Sequence, residues 1–146
     1  MAISTITPGG ILLRFLFACI LVFATYNPHP SGYSFYHMVS GYLNGEPIAP
    51  LPIIAFIGII LLIGWVIYLR AAGRSLGFTG ILLAVAFFGT LVWLAIHYKI
   101  ISLENPSVLT YVIEFVICCV LTVGISWSHI RRRITGQLDT DDVEAD

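Results

Sequence analysis

Four long apolar runs separated by shorter polar stretches set the pattern of this chain, at about residues 10–26, 51–69, 77–98 and 107–127. A helix rising 1.5 Å per residue needs about 20 mostly apolar residues to cross the hydrocarbon core of a bilayer. The expected fold is therefore an all-α membrane protein of four transmembrane helices, with a short interfacial helix between the first and second. Residues 1–133 are expected to form the four-helix transmembrane domain, and residues 134–146 an acidic, disordered cytoplasmic tail. The first run is short enough to be weighed as a signal peptide, but it lacks a basic n-region and a small-x-small cleavage site. Asn105-Pro106 marks the start of the fourth span as an N-cap followed by proline at the first helical position.

The polar segment between the first two runs opens and closes with turn formers, Pro28, Pro30 and Gly32 at one end and Asn44-Gly45, Pro47 and Pro50 at the other. Between them, residues 33–42 are too polar to span and too aromatic to float free. They predict a short interfacial helix with Tyr33, Tyr36, His37 and Ser40 on one face. Two readings of His37, Tyr33 and Tyr36 stand side by side: an aromatic belt at the interface, and a lid over a cavity open to the outer side. Asn27-Pro28, Gly32-Tyr33-Ser34 and His37, placed after a first span, resemble an uncharacterised family of small four-span bacterial membrane proteins. That resemblance implies a bacterial inner membrane and no assigned activity, and it supplies no catalytic residue.

Composition excludes a solvated globule, because 58% of the residues are hydrophobic and 10% charged, against roughly 25% charged in ordinary soluble domains. The placement of charge gives orientation. Arg14, Arg70, Arg74 and Arg131 to Arg133 fall on one side of a four-span topology, with only Lys99 opposite, so both termini are expected in the cytoplasm. Trp65, Tyr68 and Trp127 are expected near the cytoplasmic interface, with Tyr26, Trp93 and Tyr98 near the outer one. Arg14, near the start of its span, is expected to snorkel to the headgroups. No basic groove for nucleic acid is present. Cys19, Cys118 and Cys119 lie in apolar runs and give neither a disulfide framework nor a zinc site. No cofactor is expected, haem included, since His97 and His129 belong to opposite faces.

Glu114 carries the most information, because it lies about two turns inside the fourth span, where an ionisable group is costly unless neutral or paired. Ser107, Thr110, Tyr111, Cys118, Thr122, Ser126 and His129 fall within an arc of about 160° around it. In the third span, Thr79, Ala86, Thr90, Trp93 and His97 share one narrow face. A short connection makes these two helices antiparallel neighbours, which places Glu114 opposite Thr90 to Trp93. Two roles remain open for it: a neutral acid that hydrogen-bonds across helices, or a proton-accepting or cation-binding group. With no nucleophile beside a base and no paired carboxylates, the expectation is no enzyme. Beyond the lipid bilayer, the partner is a membrane protein or a second copy. The expected role is a non-enzymatic accessory or structural subunit of a membrane complex. The alternative is a homo-oligomeric small-solute or ion translocator, proton-coupled through Glu114.

Overall fold

A computed structural model describes residues 7–29 and 33–135, the side chains of Arg132, Arg133 and Thr135 excepted. Among them the chain forms four helices and no strand: α1 (Pro8–Thr25), α2 (Phe35–Leu43), α3 (Leu51–His97) and α4 (Pro106–Thr135). Most of the expected acidic tail, residues 136–146, lies outside the described residues, as do Pro30, Ser31 and Gly32 of the first loop.

Among the described residues, three helices are long and apolar enough to cross a membrane: α1, α3, and α4 as far as Arg131. This corrects the expected count of four, and the reason is local. The turn expected between the second and third runs stays helical through Arg70, Ala71, Ala72 and Arg74, all good helix formers. The apolar runs 51–69 and 77–98 thereby join into one element of 47 residues, which would be about 70 Å long if straight. It is not straight. Gly77 breaks it, at φ 65° and ψ 175°, a region that only glycine occupies without strain.

The contacts trace the chain on either side of that break. Ala72 and Leu76 lie against Gly124, and the Ser128 amide donates to Ser75 Oγ at 3.0 Å. Past Gly77, Gly80 shares a groove with Val123 and Trp127, while Leu91 and Ala95 share another with Val108 and Tyr111. Residues 78–97 therefore retrace α4 in the opposite sense, and run back along the direction of residues 51–76.

Helix α1 completes the bundle. Ala18 and Val22 form a buried core with Cys118 and Leu121 of α4, and Phe15 meets Phe115 edge-on at 5.9 Å between ring centroids. Against α3, Leu21 packs on Gly64. Trp65 Nε1 donates to Thr25 Oγ1 at 2.9 Å, and the Tyr68 hydroxyl donates to the Arg14 carbonyl at 3.0 Å. Both aromatic side chains were expected at the membrane interface. They are half-buried between helices, where each polar tip finds a partner. Arg14, expected to reach for headgroups, directs Nη1 to Ser126 Oγ at 3.4 Å.

These pairings gather Arg14 and the segments that carry Arg70, Arg74 and Arg131 at one end of the bundle, and place Lys99 at the other. The Lys99 end also holds the start of α4, where Asn105 Oδ1 accepts from the Ser107 amide at 3.0 Å, the expected cap. Helix α2 lies at this end too. Phe35 rests on Gly58, and Tyr36 and His37 pack on Tyr26 just beyond α1, so α2 bridges α1 and the first half of α3.

Candidate functional site

Among the described residues, four polar ones are buried: Ser34, Glu114, Thr122 and Ser126. Thr122 spends its hydroxyl on the Cys118 carbonyl one turn back, at 2.7 Å. Ser126 accepts from Arg14, and Ser34 Oγ lies 2.7 Å from His37 Nδ1. Glu114 differs from all three. It is 4% exposed, and neither Oε1 nor Oε2 has a hydrogen-bond partner.

Helix geometry fixes where that side chain points. With Glu114 at zero and 100° per residue, Cys118 lies at about 40° and Leu121 at about −20°, and both pack with α1. Gly124 and Ser128, which meet the first half of α3, lie at about −80° and −40°. Val112, Phe115 and Val116 line the groove shared with residues 78–97, and they lie at about 160°, 100° and −160°. Glu114 thus projects into the crevice between α1 and residues 51–76, and away from residues 78–97.

Depth follows in the same way. Cys118 packs on the middle of α1, and Glu114 sits one turn, about 6 Å, toward the Lys99 end. Gly58 and Tyr26, which carry α2, lie about 10–12 Å from the level of Cys118. Helix α2 therefore covers the mouth of the crevice about one turn above the carboxyl. Ser34 and His37 are the hydrogen-bonded polar pair on that cover.

The remaining expected site residues do not converge on Glu114. Thr90 is exposed and donates to the Ala86 carbonyl of its own helix at 2.7 Å. Trp93 is 72% exposed, and His97 is exposed against Tyr98. The stripe on the third run faces out of the bundle, which corrects its expected position opposite Glu114. Thr110 donates to the Pro106 carbonyl at 2.9 Å. Tyr111 packs on Phe23 and donates to Asn27 Oδ1 at 3.4 Å. In α2, His37 is half-buried, while Tyr33 and Tyr36 are exposed.

Sequence reasoning passed over Gly124 and the polar tips of Trp65 and Tyr68, although a lone glycine in the middle of an apolar run was a visible sign of close approach. Among the described residues, no three His, Cys, Asp or Glu side chains group as metal ligands. The grooves between helices are hydrocarbon-lined. One of them, about 550 Å³, lies between residues 78–97 and α4.

The chain belongs to DUF6524, a family of unknown function, whose family model matches residues 9–145. No curated protein and no solved structure matches it.

Proposed function

We propose that this chain is a four-pass protein of a bacterial inner membrane, with both termini cytoplasmic, that serves as a non-enzymatic accessory or structural subunit of a membrane complex. In this reading α3 crosses twice, turning at Gly77, and α2 rests at the outer interface. The lengths support it: the stretches 51–76 and 78–97 each reach the roughly 20 residues that one crossing requires. The basic residues gathered at one end support the orientation.

One observation carries the subunit role. Of the buried polar residues described, Ser34, Thr122 and Ser126 bond within the bundle, and outward it offers an apolar groove of about 550 Å³ lined by Phe88, Leu91, Ala95, Val108, Val112 and Phe115. A hydrocarbon groove of that kind suits a neighbouring transmembrane helix, whose association in lipid depends on close packing. Purification from native membranes in a mild detergent tests this. The expected result is a second membrane protein at fixed stoichiometry, lost when Ala95→Trp fills the groove. A homo-oligomer alone, untouched by Ala95→Trp, would overturn it.

The bare Glu114 carboxyl favours a second reading, a homo-oligomeric small-solute or ion translocator coupled to protons through Glu114. A homo-oligomer whose transport activity is lost in Glu114→Gln would establish it.

A further inference from the structure

We propose that Glu114 is a proton-binding site near the middle of the membrane, occupied at neutral pH and reached from the outer side beneath α2. This holds whether the chain is a subunit or a translocator, and it requires only that the bundle spans a membrane.

The Glu114 carboxyl is closed from solvent and bare of partners: it is 4% exposed and has no hydrogen-bond partner on either oxygen. An ionised carboxylate removed from water without a partner is costly enough that such a group takes up a proton instead. The charged and titratable groups on the surrounding elements give no substitute for that proton. On α1, Arg14 donates toward Ser126, at the opposite end of the bundle. The others include Cys19 of α1, Tyr26 just beyond it, Tyr68 of α3, Tyr111, Cys118 and Cys119 of α4, and Tyr36 and His37 of α2; Tyr111 donates to Asn27 Oδ1. Tyr68 is spent on the Arg14 carbonyl and His37 lies against Ser34. None of them is a cation hydrogen-bonded to Glu114.

A metal cation is a poorer occupant than a proton. Hard cations take several oxygen ligands, six to eight for calcium. Near Glu114 on α4, the hydroxyls of Thr110 and Thr122 turn their hydrogens to carbonyls of their own helix, and their oxygens together with the carboxyl fall short of such a ligand set. The walls are otherwise Ala18, Val22, Leu121 and their apolar neighbours. One carboxyl in hydrocarbon has the chemistry for one proton.

The route is set by the cover. From the Arg14 end, Cys118, Leu121 and the core around them close the crevice. At the other end, among the described residues, α2 and Tyr111 stand between the carboxyl and the outside, about one helical turn away. The exchange is a simple protonation: a hydronium at the mouth gives its proton to the carboxylate and becomes water, and water takes the proton back, with no other bond made or broken. His37, paired with Ser34 on α2, is the titratable side chain of the cover.

The test uses the full-length protein in lipid vesicles of one orientation. Infrared spectroscopy at pH 7 should show the carbonyl band of a protonated carboxylic acid, present in wild type and Glu114→Asp and absent from Glu114→Gln. Dicyclohexylcarbodiimide, which adds to protonated carboxyls in apolar surroundings, should label wild type at Glu114, located by peptide mass. At fixed internal pH, labelling should decline when the external medium alone is made strongly alkaline. A properly folded wild type with neither the band nor the label would overturn the site. Labelling that follows only the internal pH would overturn the outer route.

Discussion

Gly124 is the position where adding a single methyl group should do the most damage. A Cβ built there would stand 2.6 Å from the Cβ of Ala72, 3.2 Å from its Cα and 3.3 Å from Leu76 Cδ1. Carbon atoms pack at about 3.5–4.0 Å, so Gly124→Ala must push α4 off α3 by about 1 Å. Ala72 cannot turn aside, because its Cβ is fixed to the backbone and the residue is 5% exposed. The same displacement strains the Ser128 to Ser75 bond one turn further along. Overpacking of this kind costs about 1–3 kcal/mol. Two other glycines are internal controls. At Gly64 the close atom, at 2.7 Å, is the far end of the Leu21 side chain, which can rotate, so Gly64→Ala should cost less. At Gly73 nothing lies within 4 Å, and alanine there should be neutral or favourable by up to about 1 kcal/mol. Thermal unfolding in a mild detergent, followed by tryptophan fluorescence, should rank Gly124→Ala lowest and Gly73→Ala at or above wild type. Adding Ala72→Gly should restore most of the loss. A Gly124→Ala protein that melts with wild type would refute the contact, and failure of Ala72→Gly to rescue would refute its assignment to Ala72.

Three further outcomes are expected. Gly77→Ala places a side chain at φ 65°, ψ 175°, which should cost of order 1–3 kcal/mol, read in the same unfolding assay against Gly73→Ala. Trp65→Phe deletes the donor to Thr25 Oγ1 and should lower stability by about 0.6–2 kcal/mol, with Thr25→Val giving a non-additive double variant. In a background without the native cysteines, single cysteines at Ser4, Gly45, Arg74, Ser102 and Asp146 should react with an impermeant reagent in the order in, out, in, out, in; cytoplasmic labelling at Gly45 would overturn the four-pass topology.

Much of the architecture was legible because hydrocarbon length is a strong constraint. The apolar runs became helices, and Asn105-Pro106 caps α4 as its residue types require. What misled was the assumption that polar residues end helices. Arg70 and Arg74 leave the apolar pattern, yet arginine and alanine favour helix, so α3 continues to Gly77 and only backbone conformation breaks it. For the same reason α4 runs on to Thr135, beyond the expected end of its span at Trp127. The neighbours of each helix face were less legible. They depend on where small residues let backbones approach, as at Gly124 and Ala72, and that pairing leaves no periodic trace in either segment.

Polarity inside a membrane helix is also not one kind of signal. Thr90, Thr110 and Thr122 each donate to the carbonyl four residues back, so a threonine satisfies itself on any face. Thr90 can therefore stand exposed on residues 78–97 while Thr122 is buried, and a stripe of threonines carries no information about what it faces. A glutamate has no such internal remedy, since its carboxylate is an acceptor and the helix has spent its amide donors on its own backbone. It must meet a side-chain donor, reach water, or hold a proton. Glu114 meets no donor and is closed from solvent. Of all the polar residues in the four apolar runs, it is the one whose burial leaves the bundle with an unspent chemical capacity.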